Sequence, residues 1–221
     1  MGNTPEPAPT EHHPTVLRSH TALPPPAGLL FVLSGPSGVG KDALVREIKT
    51  LGVDLNVIVT MTTRPRRPAE RPGEDYIFVT PEHFTALARA GKLLEWANVY
   101  GYLYGTPLAP VHALLERGED VLLRIDVQGA ASVRRRVPQA VTIFLAPPNE
   151  AELLRRMRAR GTEHGIELER RWHTARHEMA QMDHFDYRVV NPPGHLEAAV
   201  HQALAIVAAE RLRVHPRRAR L

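Results

Sequence analysis

Residues 29–43, LLFVLSGPSGVGKDA, constrain the fold more than any other stretch of the chain. Leu29, Leu30, Phe31, Val32 and Leu33 form an apolar run with the length of a strand buried on both faces. A helical spacing of apolar residues then begins at Ala43 and continues through Leu44, Val45 and Ile48. Between the two stand Gly35, Pro36, Ser37, Gly38, Val39, Gly40 and Lys41, in the spacing G-x-x-x-x-G-K of a phosphate-binding loop. The glycines permit positive φ and bring backbone N–H groups close to an anion. The helix N-terminus adds its positive end, and the lysine adds a mobile charge. A strand, a glycine loop and a helix in this order predict a phosphate cradle. One position departs from the pattern: Asp42 follows the lysine where Ser or Thr is usual.

The chain of 221 residues is long enough for one α/β unit with a good core, and 43% hydrophobic content suits it. The absence of cysteine excludes disulfides, thiolate zinc sites and a cysteine nucleophile, and agrees with a cytoplasmic protein. Only Lys41, Lys49 and Lys92 are lysines among 28 basic residues, so the positive charge is almost wholly arginine. Planar guanidinium groups suit bidentate contacts to phosphate. No run of 18 apolar residues occurs, so no transmembrane span is expected. Residues 1–27 lack the apolar h-region of a signal peptide and carry Pro24, Pro25 and Pro26, which reads as a disordered proline-rich tail; residues 213–221 read as a short, frayed basic tail.

Beyond the loop, a short strand is expected at 57–60, leading into TMTTRPRRPAERPGEDYIFV. Prolines at 65, 68 and 72 and Gly73 forbid a helix there and place Arg64, Arg66, Arg67 and Arg71 on an exposed loop held partly in order. A strand at 76–79, a helix at 81–90 started by Thr80 and a strand at 93–99 come next. Tyr100-Gly101-Tyr102-Leu103-Tyr104-Gly105 then supplies aromatic and flexible positions together. A helix at 107–117 precedes VLLRID, a parallel strand that ends in Asp126, and open α/β sheets bind ligands beyond that end of their strands. Further βα alternation over 129–158 makes the pattern doubly wound. The charged stretch 155–171 reads as a lid, and a strand at 187–190 and a helix at 195–213 close the chain. His173 and His177 lie four apart on an expected helix, but no third ligand is spaced with them, so a solvated face is the better reading.

A phosphate cradle, an arginine-and-tyrosine lobe and a basic lid together imply that two phosphorylated molecules are brought face to face. Phosphoryl transfer needs in-line positioning and charge neutralisation more than a covalent nucleophile. The ordered motifs SGPSGVGK (34–41), TTRPRRPAERPGEDYIFV (62–79), LLEWANVYGYLYGTP (93–107), IDVQGA (125–130), RMRARGTE (156–163) and DYRVVN (186–191) closely resemble those of the guanylate kinases. The resemblance covers residues 27–207. It implies a P-loop nucleoside-monophosphate kinase fold, with a parallel sheet flanked by helices in a core of 28–59, 107–155 and 176–212. It also implies a mixed α/β GMP-binding lobe at 60–106 and a helical lid at 156–175. By the same resemblance ATP and Mg2+ are the cofactors and GMP or dGMP the acceptor. Arg64, Arg67, Tyr76 and Tyr104 would bind the GMP phosphate, while Thr60, Glu95 and Thr106 would face guanine, with Asp126 near its amino edge or the metal. Gly35 to Lys41 and Asn191 would bind ATP, with Lys41, Arg156, Arg160 and Arg171 as the catalytic cations.

Two positions depart from the resemblance. Asp42 removes the hydroxyl that ordinarily reaches magnesium, and its own hard carboxylate is the candidate replacement ligand. Arg124 stands where the family usually carries an acid, which reverses the sign of one expected contact on the acceptor side. A GKD loop also occurs in kinases of ribose 1,5-bisphosphate, the alternative enzyme, and a non-catalytic guanylate-kinase-like binding module is the alternative of another class. Glu95, Thr106 and Thr60 favour guanine over a bare sugar, and the intact loop favours catalysis over scaffolding. No nucleic-acid or membrane partner is expected, and the pattern sets no oligomeric state.

Overall fold

A computed structural model of the chain describes residues 28–159 and 165–221. The expected proline-rich tail 1–27 and Arg160 lie outside the described residues. The elements in order are β1 (Leu30–Ser34), α1 (Lys41–Thr50), β2 (Asn56–Val57), β3 (Met61–Thr62), β4 (Ile77–Phe78), α2 (Pro81–Arg89), β5 (Leu93–Val99), β6 (Tyr102–Pro107), α3 (Leu108–Glu116), β7 (Val121–Arg124), α4 (Val127–Arg136), β8 (Val141–Ala146), α5 (Glu150–Ala159), α6 (Ile166–Met179), β9 (Tyr187–Val190) and α7 (Leu196–Arg211).

The first apolar run becomes the middle strand of a parallel sheet ordered β2-β7-β1-β8-β9. Successive residues of a strand face opposite sides, so β1 feeds two cores at once. Leu29, Phe31 and Leu33 pack with Leu44, Val45 and Ile48 of α1 and with Ala199, Val200, Ala203 and Val207 of α7. Leu30 and Val32 pack on the other side with Val111 and Leu115 of α3 and with Ala130 and Val133 of α4. Burial on both faces explains why this strand reads as an unbroken hydrophobic run. At its C-terminal end the chain turns sharply at Gly35, whose φ is 140°. A Cβ there would stand 2.2 Å from the Leu145 carbonyl oxygen, a backbone atom of the neighbouring strand that cannot step aside. Gly35→Ala should therefore destabilise the protein by roughly 3 kcal/mol or more, read as a lowered midpoint in urea unfolding, and a loss below about 1 kcal/mol would contradict this packing.

The second sheet, ordered β4-β3-β6-β5, is mixed: β3 pairs parallel to β4, and β6 runs antiparallel to both β3 and β5. It falls within the 60–106 stretch that the sequence sets apart, and Thr80 caps α2 by accepting the His83 amide, as expected. Strand β6 is not expected from the sequence, where 100–105 reads as a cluster of tyrosines among glycines. It is a strand because Val99 pairs with Tyr102 across a two-residue turn at Tyr100 and Gly101, both at positive φ (53° and 84°). Those angles mark a hairpin turn that ordinarily selects Asn or Gly at its first position. Here the tyrosine ring turns toward the other side of the cleft, where the Arg171 guanidinium lies 4.9 Å above it.

The C-terminal stretch 213–221 is anchored rather than frayed. Arg217 pairs with Asp186 and with the buried Glu210, and Leu221 and Ala219 pack on the α3–α4 side of the sheet. Glu210 is fully buried on α7 and also accepts the Tyr187 hydroxyl at 2.6 Å, so one carboxylate ties helix, strand and terminus together.

Candidate active site

The ends of β1 and β7, the start of α1 and the edge of the second sheet enclose a cleft open to solvent at its mouth. Its walls include Ser37, Gly38, Gly40, Lys41 and Asp42 on one side and Thr60, Arg64, Arg67, Tyr76, Glu95 and Tyr104 on the other. Arg124, Asp126, Arg171 and Glu178 lie between and above them. This mixture of cations, carboxylates and rings suits a small polar ligand.

The loop stands ready for an anion. Gly38 and Gly40 adopt φ of 88° and 107°, and a Cβ on Gly40 would meet the Asn191 amide nitrogen at 2.5 Å. Asn191 is buried and donates that amide to the Val39 carbonyl, fixing the loop from behind. Lys41 curls back onto its own loop, donating to the Gly35 carbonyl at 2.5 Å and the Pro36 carbonyl at 3.1 Å. Burial lowers the pKa of its ammonium, against the pull of Glu178, Asp42 and Asp126. Glu178, in α6, accepts the Ser37 amide at 2.9 Å, so a carboxylate already sits on one N–H of the loop. Burial raises the Glu178 pKa, and Lys41 opposes that rise.

The opposite wall is held by pairs that the sequence order hides. Glu70 takes the Arg64 guanidinium at 2.7 Å and the Arg67 amide at 2.9 Å, and Arg64 also donates to the Tyr104 hydroxyl at 3.0 Å. The arginine loop is thus pre-ordered by a carboxylate as much as by its prolines. Tyr76 is mostly buried between Arg64 and Arg124, and burial pushes its phenol up to about 12. Deeper in, Glu95 is 5% exposed and accepts the Thr106 hydroxyl at 2.6 Å. Burial pushes its carboxyl up to about 7; Thr106 opposes this, and the nearby negative Asp126 adds to it. Thr60, also buried, lines the same end.

Asp126 has two roles. It caps α4 by accepting the Gly129 amide at 2.9 Å, and it faces the cleft. Asp126→Ala should cost about 1 kcal/mol of stability in chemical unfolding, whereas Asp126→Asn keeps the cap and should cost only a few tenths. Gly129 is required for a different reason: a Cβ on it would stand 2.6 Å from a Glu95 carboxylate oxygen.

The structure brings Lys41, Asp42, Thr60, Arg64, Arg67, Tyr76, Glu95, Tyr104, Asp126 and Arg171 to one cleft, with Thr106 bonded to Glu95. Arg156 and Asn191 do not line it. The Arg156 guanidinium is bound to Glu152 at 2.7 Å and donates to the Val39 and Asn191 carbonyls at 3.0 and 2.9 Å. With these contacts it braces the loop from behind. Missed at the sequence level are Glu70 and Glu178. For Glu178 a signal exists, since Arg171, Thr174 and Glu178 share one helical face at spacings of three and four.

The family model described as guanylate kinase matches residues 28–210. The chain belongs to the guanylate kinase family. The guanylate kinase of Thermus thermophilus is 50% identical over 186 residues, which span 84% of this chain and 83% of that protein. That of Thermotoga maritima is 44% identical over 187 residues, 85% of this chain and 89% of that one. The crystal structure of guanylate kinase from Anaplasma phagocytophilum superposes with a TM-score of 0.70 at 29% identity, covering 88% of this chain and 90% of that chain. The P-loop kinase architecture that the resemblance implies is thus shared with a guanylate kinase. Among the described residues, no helix is long and apolar enough to cross a membrane.

Proposed function

We propose that the protein is an ATP:GMP phosphotransferase that moves the γ-phosphoryl group of ATP to the phosphate of GMP or dGMP. The observation that carries this reading is the buried Glu95 carboxylate, set at the far end of a cleft whose near end is a phosphate loop. Guanine presents two donors, N1–H and the 2-amino group, and adenine presents neither at those positions. A buried carboxylate with one oxygen fixed by Thr106 accepts from that edge. Ribose 1,5-bisphosphate would leave Glu95 and Thr60 without use, and a scaffold module would have no need of Lys41.

In this reading Arg64, Arg67, Tyr76 and Tyr104 grip the acceptor phosphate, Thr60, Glu95, Thr106 and Asp126 hold guanine, and residues 35–41 cradle the donor phosphates. The acceptor oxygen is already ionised at pH 7, so no general base is needed. Lys41 leaves the Gly35 and Pro36 carbonyls for the donor phosphates, and Arg171, with Arg160, neutralises charge on the group in flight. Arg156 and Asn191 position the loop. The 60–106 lobe and the 156–175 lid close around both substrates and exclude water. The partners are thus the two nucleotides, and the compartment is the cytoplasm.

Magnesium carried in on the donor phosphates fits the oxygen atoms present. Asp42 and Asp126 line the cleft beside the loop, and such an ion needs only one or two protein carboxylates, directly or through water. Once bound, it offsets charge on the β and γ oxygens. Asp42→Ala should weaken the magnesium dependence of the rate; an unchanged dependence would remove Asp42 from that role.

The reading carries a pH test. The folded protein holds the Glu95 proton up to about pH 7, whereas an unfolded chain releases it near 4.5. This group therefore favours folding most below pH 4.5, and that contribution is lost as pH rises to 7. GMP binding requires the ionised form, so affinity should fall below pH 7 by up to about tenfold per unit. Glu95→Gln should retain only the titration of the acceptor phosphate itself. Calorimetric titration of both proteins between pH 5.5 and 8 measures the difference, and identical pH profiles would contradict the assignment.

A further inference from the structure

The two departures from the family pattern, Asp42 and Arg124, lie 82 positions apart in the chain and meet in space. An Arg124 guanidinium nitrogen stands 2.8 Å from an Asp42 carboxylate oxygen, with the arginine side chain only 10% exposed. A second nitrogen of the same guanidinium donates to the Asp75 carbonyl at 2.9 Å, and its carbon lies 4.7 Å from the centre of the Tyr76 ring. One rigid fork thus spans the cleft, from the first turn of α1 behind the phosphate loop to the segment that carries Tyr76. A lysine, with a single nitrogen on a flexible stem, does not make all three contacts at once.

We propose that Asp42 and Arg124 form one charge-matched unit in which Arg124 is a positioning residue: it cancels the carboxylate beside the donor phosphates and fixes Tyr76 for the acceptor phosphate. The identity of the two phosphates rests on the phosphotransferase reading above. An acid at 42 alone would repel the donor phosphates from the helix N-terminus that attracts them. An arginine at 124 alone would be a cation held in a narrow wall with its main anionic partner gone. Together the two side chains carry no net charge. The electrostatics agree: Asp42 and Arg124 act with opposite signs on both Lys41 and Tyr76, so their effects on each wall of the cleft offset. The pair also makes the position of one wall depend on the other, since the same guanidinium holds both.

The test is a double-mutant cycle on the full chain, with Arg124→Ala, Asp42→Ala and the double variant. Binding of GMP alone and of ATP alone is measured by calorimetry without magnesium, so that neither catalysis nor metal enters. Arg124→Ala should weaken both ligands by about tenfold, ATP because Asp42 loses the guanidinium 2.8 Å from its carboxylate and GMP because Tyr76 loses its support. Adding Asp42→Ala should restore ATP affinity to within about threefold of the natural protein while GMP affinity stays low. Thermal melting checks that each variant folds. If Arg124→Ala does not, Arg124→Lys replaces it, with ATP affinity expected to hold and GMP affinity to fall. ATP affinity in the double variant as weak as in the single one, or GMP affinity unmoved at position 124, would overturn the proposal. A natural protein that binds ATP but no GMP would overturn the phosphotransferase reading instead and leave the ATP arm of the cycle to judge the pair.

Discussion

Replacing Glu95 by Gln should lower kcat/KM for GMP by about a thousandfold while ATP affinity is unchanged. The substitution keeps the size of the side chain and removes its charge, so one amide nitrogen now faces a guanine donor and two charge-assisted hydrogen bonds are lost. At roughly 1.5–3 kcal/mol each, their loss spans about 10² to 10⁴ in rate. Preference for GMP over AMP should shrink by a similar factor, because adenine never gained from the carboxylate. Steady-state kinetics with both nucleotides read this directly. The burial of Glu95 supplies the contrast: at 5% exposure its carboxylate is costly to ionise without a partner, and Thr106 supplies only one hydroxyl. A change within threefold for GMP would make Glu95 a structural partner of Thr106 and nothing more. Gly129→Ala should act in the same direction and more weakly, by pressing on the carboxylate from α4.

Lys41→Ala should separate activity from stability. Its ammonium is buried, with its pKa lowered by that burial, and it is held by two carbonyls of its own loop. A charge kept in such a place costs the fold and serves the reaction, so its removal should leave the melting temperature unchanged or raised. The rate, by contrast, should fall by about 10² to 10³, the usual loss when a donor to a developing charge is deleted. Turnover with GMP and a thermal melt of the same sample measure the two effects. A variant retaining a tenth or more of the rate would show that the loop amides and helix N-terminus hold the donor phosphates without the lysine.

Much of the architecture was legible because its cause is local. The apolar run before Gly35 could only be a strand buried on both faces, and the glycine spacing after it could only be a tight loop opening a helix. Thr80 before Pro81 announced α2, and the Asn191, Pro192, Pro193, Gly194 sequence ended β9. Strand β6 was not legible, because its identity comes from pairing with β5 and β3 and not from its own tyrosines. The candidate site divides in the same way. The cradle and the residues around Glu95 lie within short motifs. The fork made by Arg124 and the carboxylate of Glu178 on the Ser37 amide join distant segments, which no spacing rule connects, and Glu70 closes an irregular loop that has no periodic pattern. The contacts of Arg156 with the Val39 and Asn191 carbonyls are likewise visible only in the fold.

The most direct measurement is ADP formation from ATP and magnesium with GMP, dGMP, AMP, UMP and ribose 1,5-bisphosphate offered one at a time, with Lys41→Ala as the blank. Turnover with GMP or dGMP, and at least a hundredfold less with the others, is the predicted result. Turnover with ribose 1,5-bisphosphate alone, or none with any acceptor while GMP still binds, would contradict the account.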